Sequence, residues 1–270
     1  MPELFPDLYS FIACALIMAG AMFLYAAVGF GAGMFSVALL AMVLPGLTGT
    51  VTVLMLLTFV AEVWVLAHDW RRGHVGLLVG LVPAMAVGSW LGTQILAGGD
   101  VALLKRLLGL FVLAAGTWFL FEHVRKPRHA AKTSGDADSN KDRNHSGRTH
   151  PLWLSLAIGL VSGVLGGLFG TGGPPVIILL RSYKLDKSAF RATILWYFFL
   201  MSLFRSGAYL QAGLLTFDVV MAGLWLLPTS IGGILIGMAV HRRVSERQFA
   251  AAVSVLLIIL GVLLAAGLKR

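Results

Sequence analysis

Two glycine clusters hold the residues whose types and spacing suggest chemistry. Gly29-Phe30-Gly31-Ala32-Gly33 and Gly170-Thr171-Gly172-Gly173 each interrupt an apolar run and precede a short apolar segment. A helix starting after Gly33, and another after Gly173, exposes backbone N–H groups without intrahelical partners at a positive dipole end. Glycine lets a ligand approach the main chain, and Pro174 and Pro175 suit a first helical turn, where a missing N–H costs nothing. Two such N-termini meeting in the membrane would make a small-anion site without a fixed charge. Gly31, Gly33, Gly170, Gly172 and Gly173 would supply its backbone, and Ser36 and Thr171 its hydroxyls. The competing reading is close glycine-mediated packing of helices.

Two charges lie deep in apolar runs, where charge is costly and usually functional. Arg205, in Phe204-Arg205-Ser206-Gly207, either attracts an anion, pairs with an acid or extends its head to the outer interface. Glu62 is the candidate proton relay. It lies toward the inner end of its run and Arg205 toward the outer end of its own, so no direct pair is expected. Asp100 and Asp218 read as helix caps. Trp64, Trp90, Trp196 and Trp225 read as packing within spans, and Trp70 and Trp153 as interfacial belts. No Ser/His/Asp set or HExxH motif occurs, and Gly170–Gly173 lacks the lysine of a phosphate-binding loop. Neither catalysis nor a cofactor is expected. Nor is a metal site: Cys14 is the single cysteine, and four of the seven histidines fall in the polar stretch 122–151 without helical i,i+4 pairing.

The elements that position these residues are apolar. The 270 residues are 58% hydrophobic and 12% charged, with a mean hydropathy of +0.88. Eleven of the charges crowd between Glu122 and Arg148, leaving too few elsewhere for an aqueous surface. The chain is therefore read as an all-α integral membrane protein. The net charge of +9 sits between apolar runs, where orientation and anionic lipid account for it without nucleic acid. Met1 to Asp7 lacks the positive start of a cleaved leader, so the first apolar run is expected to stay. Expected segments are 8–28, a short 34–45, 48–67, 75–96 and 101–121, then 152–169, a short 174–180, 189–212, 217–240 and 246–267. The short pair cannot span alone, and each forms a broken hairpin with the run before it. Residues 122–151 have too little apolar surface to fold and are read as a flexible linker.

The two halves repeat. Pro83-Ala84-Met85-Ala86-Val87-Gly88-Ser89-Trp90-Leu91-Gly92 and Pro228-Thr229-Ser230-Ile231-Gly232-Gly233-Ile234-Leu235-Ile236-Gly237 share the form P-x4-G-x3-G at an offset of 145. Asp100 and Ser245, and Gly116 and Gly261, match at the same offset; the glycine clusters match at 139. Arg71, Arg72 and the seven Lys/Arg of the linker place those loops inside, as Arg181, Lys184, Lys187 and Arg191 do for 181–191 and Arg242, Arg243 and Arg247 for 241–247. The basic-free loops 97–100 and 212–217 fall outside, with the acidic N-terminus. Lys269 and Arg270 oppose this arrangement, and Lys105 and Arg106 do so more weakly. Matching loops thus face opposite sides. The expectation is two inverted repeats, 1–121 and 152–270, each a broken hairpin plus three transmembrane helices, joined by a cytoplasmic linker at 122–151.

Gly167-Leu168-Phe169-Gly170-Thr171-Gly172-Gly173-Pro174-Pro175, its half-matched partner Gly29 to Gly33, and two halves of this length resemble the TauE/SafE family of sulfite exporters. The resemblance covers the chain outside the linker; Ala32 and Met34 stand where the family's first glycine run is usual. It implies export of sulfite or small organic sulfur anions across the plasma membrane. Lacking a nucleotide motif, such a transporter would use an ion gradient, with the proton as a possible coupling ion, or the substrate's own gradient. The expected partners are a small anion and the lipid bilayer, with oligomeric state open. The alternatives are a cation or metal permease, which would want more buried acids or histidines than Glu62, and a membrane scaffold, which would not need paired breaks.

Overall fold

The computed structural model describes residues 5, 7–28, 32–44, 46–69, 72–125, 151–183, 185–240 and 246–266. Among them are ten α-helices and no strand: α1 (Leu8–Val28), α2 (Ala32–Val43), α3 (Leu47–Asp69), α4 (Val82–Gly98), α5 (Val101–Arg125), α6 (Leu152–Phe169), α7 (Gly173–Ser182), α8 (Lys187–Gln211), α9 (Phe217–Val240) and α10 (Glu246–Ala265). Most ends lie within two or three residues of the apolar runs. The expected span 75–96 differs. It opens with a 3-10 turn, Val75–Leu78, and α4 begins only at Val82 with Pro83 in its first turn, because proline fixes φ and donates no N–H.

Helix ends follow local polar chemistry. Asp7 accepts from the Ser10 N–H at 2.7 Å and opens α1, and Asp100 accepts from the Leu103 N–H at 2.8 Å and opens α5. Asp186 accepts from the Ala189 N–H at 2.7 Å and opens α8. For α9 the cap is Thr216, whose hydroxyl accepts from the Val219 N–H at 3.4 Å. The expected Asp218 instead sits in the first turn, where its charge complements the helix dipole.

Five of these helices, α1, α3, α5, α6 and α9, are long and apolar enough to cross a bilayer. The other expected spans do not reach that measure. α4 has 17 residues, α8 carries Arg191 and Arg205, and the apolar stretch of α10 is Val253–Ala265. Trp64, Trp90 and Trp225 point outward from the bundle, unlike the packing role expected of them, and only Trp196 joins the interior clusters. Trp153 is exposed as a belt residue would be, and Trp70 lies outside the described residues.

The tightest helix pairs each join the two halves of the chain. α4 packs on α6, α1 on α9 and α5 on α10. Gly88 and Gly92 of α4 abut the backbone of Leu160 and Val164, while Gly159, Gly163 and Gly167 of α6 abut Leu81, Met85 and Ser89, so the two helices run parallel. Gly233 and Gly237 of α9 meet Ala19 and Phe23 of α1 in the same manner, and Gly116 and Gly261 face one another's helix across the antiparallel α5–α10 crossing. Each glycine repeated at the 145-residue offset thus does the same packing job in its own half. Positions with a Cβ would hold these backbones apart.

The short helices lie against their predecessors, α2 on α1 and α7 on α6. α3 crosses α8 at the centre, with Phe59 stacked on Phe199 at 6.0 Å. The linker stretch 126–150, the loop 241–245 with Ser245, and Arg71, Lys184, Lys269 and Arg270 fall outside the described residues.

Candidate functional site

α6 ends at Gly170, whose left-handed backbone (φ 70°) returns its N–H to the Gly166 carbonyl at 2.9 Å. Such a turn is unstrained only for glycine. Ending a helix in the membrane strands its last carbonyls, and α8 supplies a donor for one of them. The Tyr209 hydroxyl donates to Gly167 O at 2.7 Å, and Arg205 Nη1 adds a second donor at 3.3 Å to Gly166 O, which already takes the Gly170 N–H. Farther along α8, the Tyr197 hydroxyl donates to Ser162 Oγ at 2.7 Å, and Ser162 Oγ donates to the Gly172 carbonyl. The break is therefore braced through hydrogen bonds that originate on one helix.

α7 restarts at Gly173. Because Pro174 and Pro175 carry no N–H, the donors at its start reduce to those of Gly172 and Gly173. The other break meets this one: a Cβ on Gly33 would lie 2.8 Å from the Gly170 carbonyl oxygen and 3.5 Å from Thr171 Cβ.

Beside this meeting point is a cavity of about 50 Å³. One water needs about 10–15 Å³ of such space, so the cavity matches a few waters or one small oxyanion. Its wall includes the expected Gly33, Gly170, Thr171, Gly172, Gly173, Arg205 and Glu62. Gly31 lies outside the described residues. Ser36 is fully buried in α2, its hydroxyl donating to Gly33 O at 3.3 Å, and it is not part of the wall.

Glu62 and Arg205 thus share one cavity, contrary to the depths read from their positions along the runs. They are nonetheless held by different partners. Arg205 Nη2 reaches Thr58 Oγ1 of α3 at 3.5 Å, while Ser202 of α8 faces the Glu62 carboxyl. Each charge is met by a hydroxyl on the other's helix. Arg205 is only 2% exposed, so it does not extend to the interface, and its guanidinium lies 5.9 Å from the centre of the Tyr209 ring. Four buried polar atoms on the cavity's residues make no hydrogen bond: Tyr25 Oη, Glu62 Oε2, Thr171 Oγ1 and Arg205 Nε. Burying polar groups without partners costs free energy, and these four gather at one space. Among the described residues no cluster of His, Cys, Asp or Glu is suited to a metal ion.

Sequence reasoning missed Tyr25, Thr58 and Ser202 in the wall and Ser162, Tyr197 and Tyr209 behind it. A signal existed for α8: Tyr197, Ser202, Arg205 and Tyr209 recur at helical spacing and make one polar stripe on an apolar helix.

Comparison with known proteins is informative on the whole chain. The family model described as sulfite exporter TauE/SafE matches residues 13–264. A probable inner membrane transporter protein, TsaS of Comamonas testosteroni, is 28% identical over 208 residues, which are 75% of this chain and 77% of that protein. No solved structure matches.

Proposed function

Since the chain belongs to the sulfite exporter TauE/SafE family, we propose that it is a secondary transporter, an exporter by its family, that carries sulfite or small organosulfonate anions across the plasma membrane. The substrate would bind where the two helix breaks meet, near the bilayer midplane. One observation carries this reading: the cavity there is walled by both halves of the chain and holds unpartnered donors from Arg205 and Thr171 beside the N-terminus of α7. A fixed cation, a hydroxyl and a positive helix end together suit an oxyanion. Glu62 is the candidate proton site.

We read the architecture as two inverted repeats. Support comes from packing that survives exchange of the halves: α1 on α9 mirrors α6 on α4, α3 on α9 mirrors α8 on α4, and α1 on α2 mirrors α6 on α7. The side contacts agree with the orientation of the loops. Arg72 Nη1 donates to Ser188 Oγ at 2.9 Å, bringing together two basic loops expected inside.

A cation or metal permease is disfavoured because Glu62 is the one acid among the described residues of the wall, and a scaffold would have no use for the cavity. The test is flux of radiolabelled sulfite or sulfoacetate into vesicles containing the purified full chain, with and without a pH gradient. Saturable uptake above empty vesicles is expected; its absence for both anions, with correctly inserted protein, would refute the proposal.

A further inference from the structure

The four unpartnered atoms at the cavity differ in what they can do. Arg205 Nε only donates, the hydroxyls of Tyr25 and Thr171 donate or accept, and Glu62 Oε2 accepts when ionised and donates when protonated. An anion held by Arg205, Thr171 and the start of α7 therefore shares one cavity with a carboxyl group that is 6% exposed. An ionised Glu62 would repel that anion through a medium that screens poorly. A protonated Glu62 offers it a hydrogen bond instead.

Among the described residues around Glu62, no other acid can take this role. α1 contributes Tyr25, with Arg191 of α8 acting on that phenol, and α8 contributes Arg205 and the Ser202 hydroxyl. α2 carries no titratable residue, and the only one in α9 is Asp218, exposed in its first turn. Lys105 of α5 donates to the Leu44 carbonyl.

We propose that the cavity binds a singly charged sulfonate-type oxyanion together with one proton, the proton on Glu62 and the anion on Arg205, Thr171 and the α7 N-terminus. The inference rests on the transport reading above. As the anion enters, the Glu62 carboxylate takes a proton from the water on that side, and as the anion leaves it gives the proton up to the water on the other. One negative and one positive charge move together, so transport carries no net charge. Its direction then follows the anion and proton gradients jointly and ignores the membrane potential.

The test measures binding of methanesulfonate, which stays singly charged across the range, to the full chain in nanodiscs from about pH 6 to about pH 10, so that the alkaline side of the titration is covered. Sulfite serves as a second ligand, and Glu62→Gln as the variant, with thermal melting to check its fold. Affinity of the wild type for methanesulfonate should fall by about tenfold per pH unit on the alkaline side of the titration, as for one linked proton. The Glu62→Gln chain should bind with no pH dependence. Binding to wild type that is flat with pH overturns the proton proposal and leaves anion transport standing. Binding of sulfite alone overturns it too, by excluding sulfonates. Binding of neither anion overturns the transport reading, and the proton proposal with it. Should Glu62→Gln fail to fold, the wild-type slope still decides.

Discussion

Gly33 and Gly170, from opposite halves of the chain, approach so closely that a Cβ on the first would lie 2.8 Å from the carbonyl oxygen of the second. The glycines of the two breaks therefore touch each other as well as the cavity. This alters what substitution there would report. A side chain at Gly172 would strike the Ser162 carbonyl, and one at Gly170 would meet Arg205 in a left-handed turn, so valine at either place disturbs packing as well as binding.

The smallest added side chain is Gly33→Ala, whose Cβ comes so close to the Gly170 carbonyl oxygen that the backbone of one break must shift. We expect insertion with a lowered melting temperature, and anion flux reduced at least about tenfold. The matched control is Gly207→Ala in α8, where nothing lies within 4 Å and flux should be unchanged. Gly116→Ala is not a neutral control, because its Cβ would sit 3.0 Å from the Ile258 nitrogen. Equal flux in Gly33→Ala and wild type would remove the breaks from the site.

Arg205 serves two purposes, holding the end of α6 and facing the cavity. Arg205→Gln should weaken anion affinity by roughly 10- to 150-fold, the worth of one charge-assisted hydrogen bond of about 1.5–3 kcal/mol. Arg205→Lys should restore little, since a single ammonium cannot reach Gly166 O, Thr58 Oγ1 and a ligand with one geometry. Equilibrium binding of radiolabelled sulfite checks both, and full affinity in Arg205→Gln would reduce the residue to a helix brace.

Adjacent glycines in α9 separate packing from composition. A Cβ on Gly233 would collide with the Ala19 carbonyl, while one on Gly232 would meet nothing within 4 Å. Gly233→Val and its repeat partner Gly88→Val should each destabilise the protein by about 1–3 kcal/mol or more, as overpacking does. Gly232→Val should melt close to wild type. Equal melting of Gly232→Val and Gly233→Val would undo the parallel drawn between the halves.

Orientation is checked by labelling. In a Cys14→Ala background, Glu3→Cys should react with an impermeant maleimide added outside, and Asn140→Cys should react only after the membrane is opened. In the wild type, Cys14 is fully buried and should label slowly from either side. Labelling at position 140 from outside would reverse the topology.

Much of this molecule was legible in its sequence because apolar run length governs where a membrane chain is helical. Gly170–Gly173 announced its own break, while the glycines at the 145-residue offset announced a repetition and left the helix crossings they make unread. The cavity wall was harder to read. Thr58 donates to the Met55 carbonyl at 3.1 Å while receiving Arg205, and on paper it is one more hydroxyl satisfied within its own helix. Tyr25 and Ser202 reach the cavity only through crossings of helices distant in sequence. Glu62 and Arg205 make no direct pair, as expected, yet they line one cavity, because lateral approach is decided by how α3 and α8 cross.

The crossed pairing of helices has a mechanical consequence. The first helix of each half is locked, glycine against backbone, to the fourth helix of the other, so α1 travels with α9 and α6 with α4. A motion that opens the cavity cannot hinge at the boundary between the first and second halves of the gene product. On the transport reading proposed above, the units that move are hybrids of the two halves, α1 with α9 and α6 with α4. Severed at the linker, neither half would have the partner its leading helix requires, and the two would need to meet before either could finish folding.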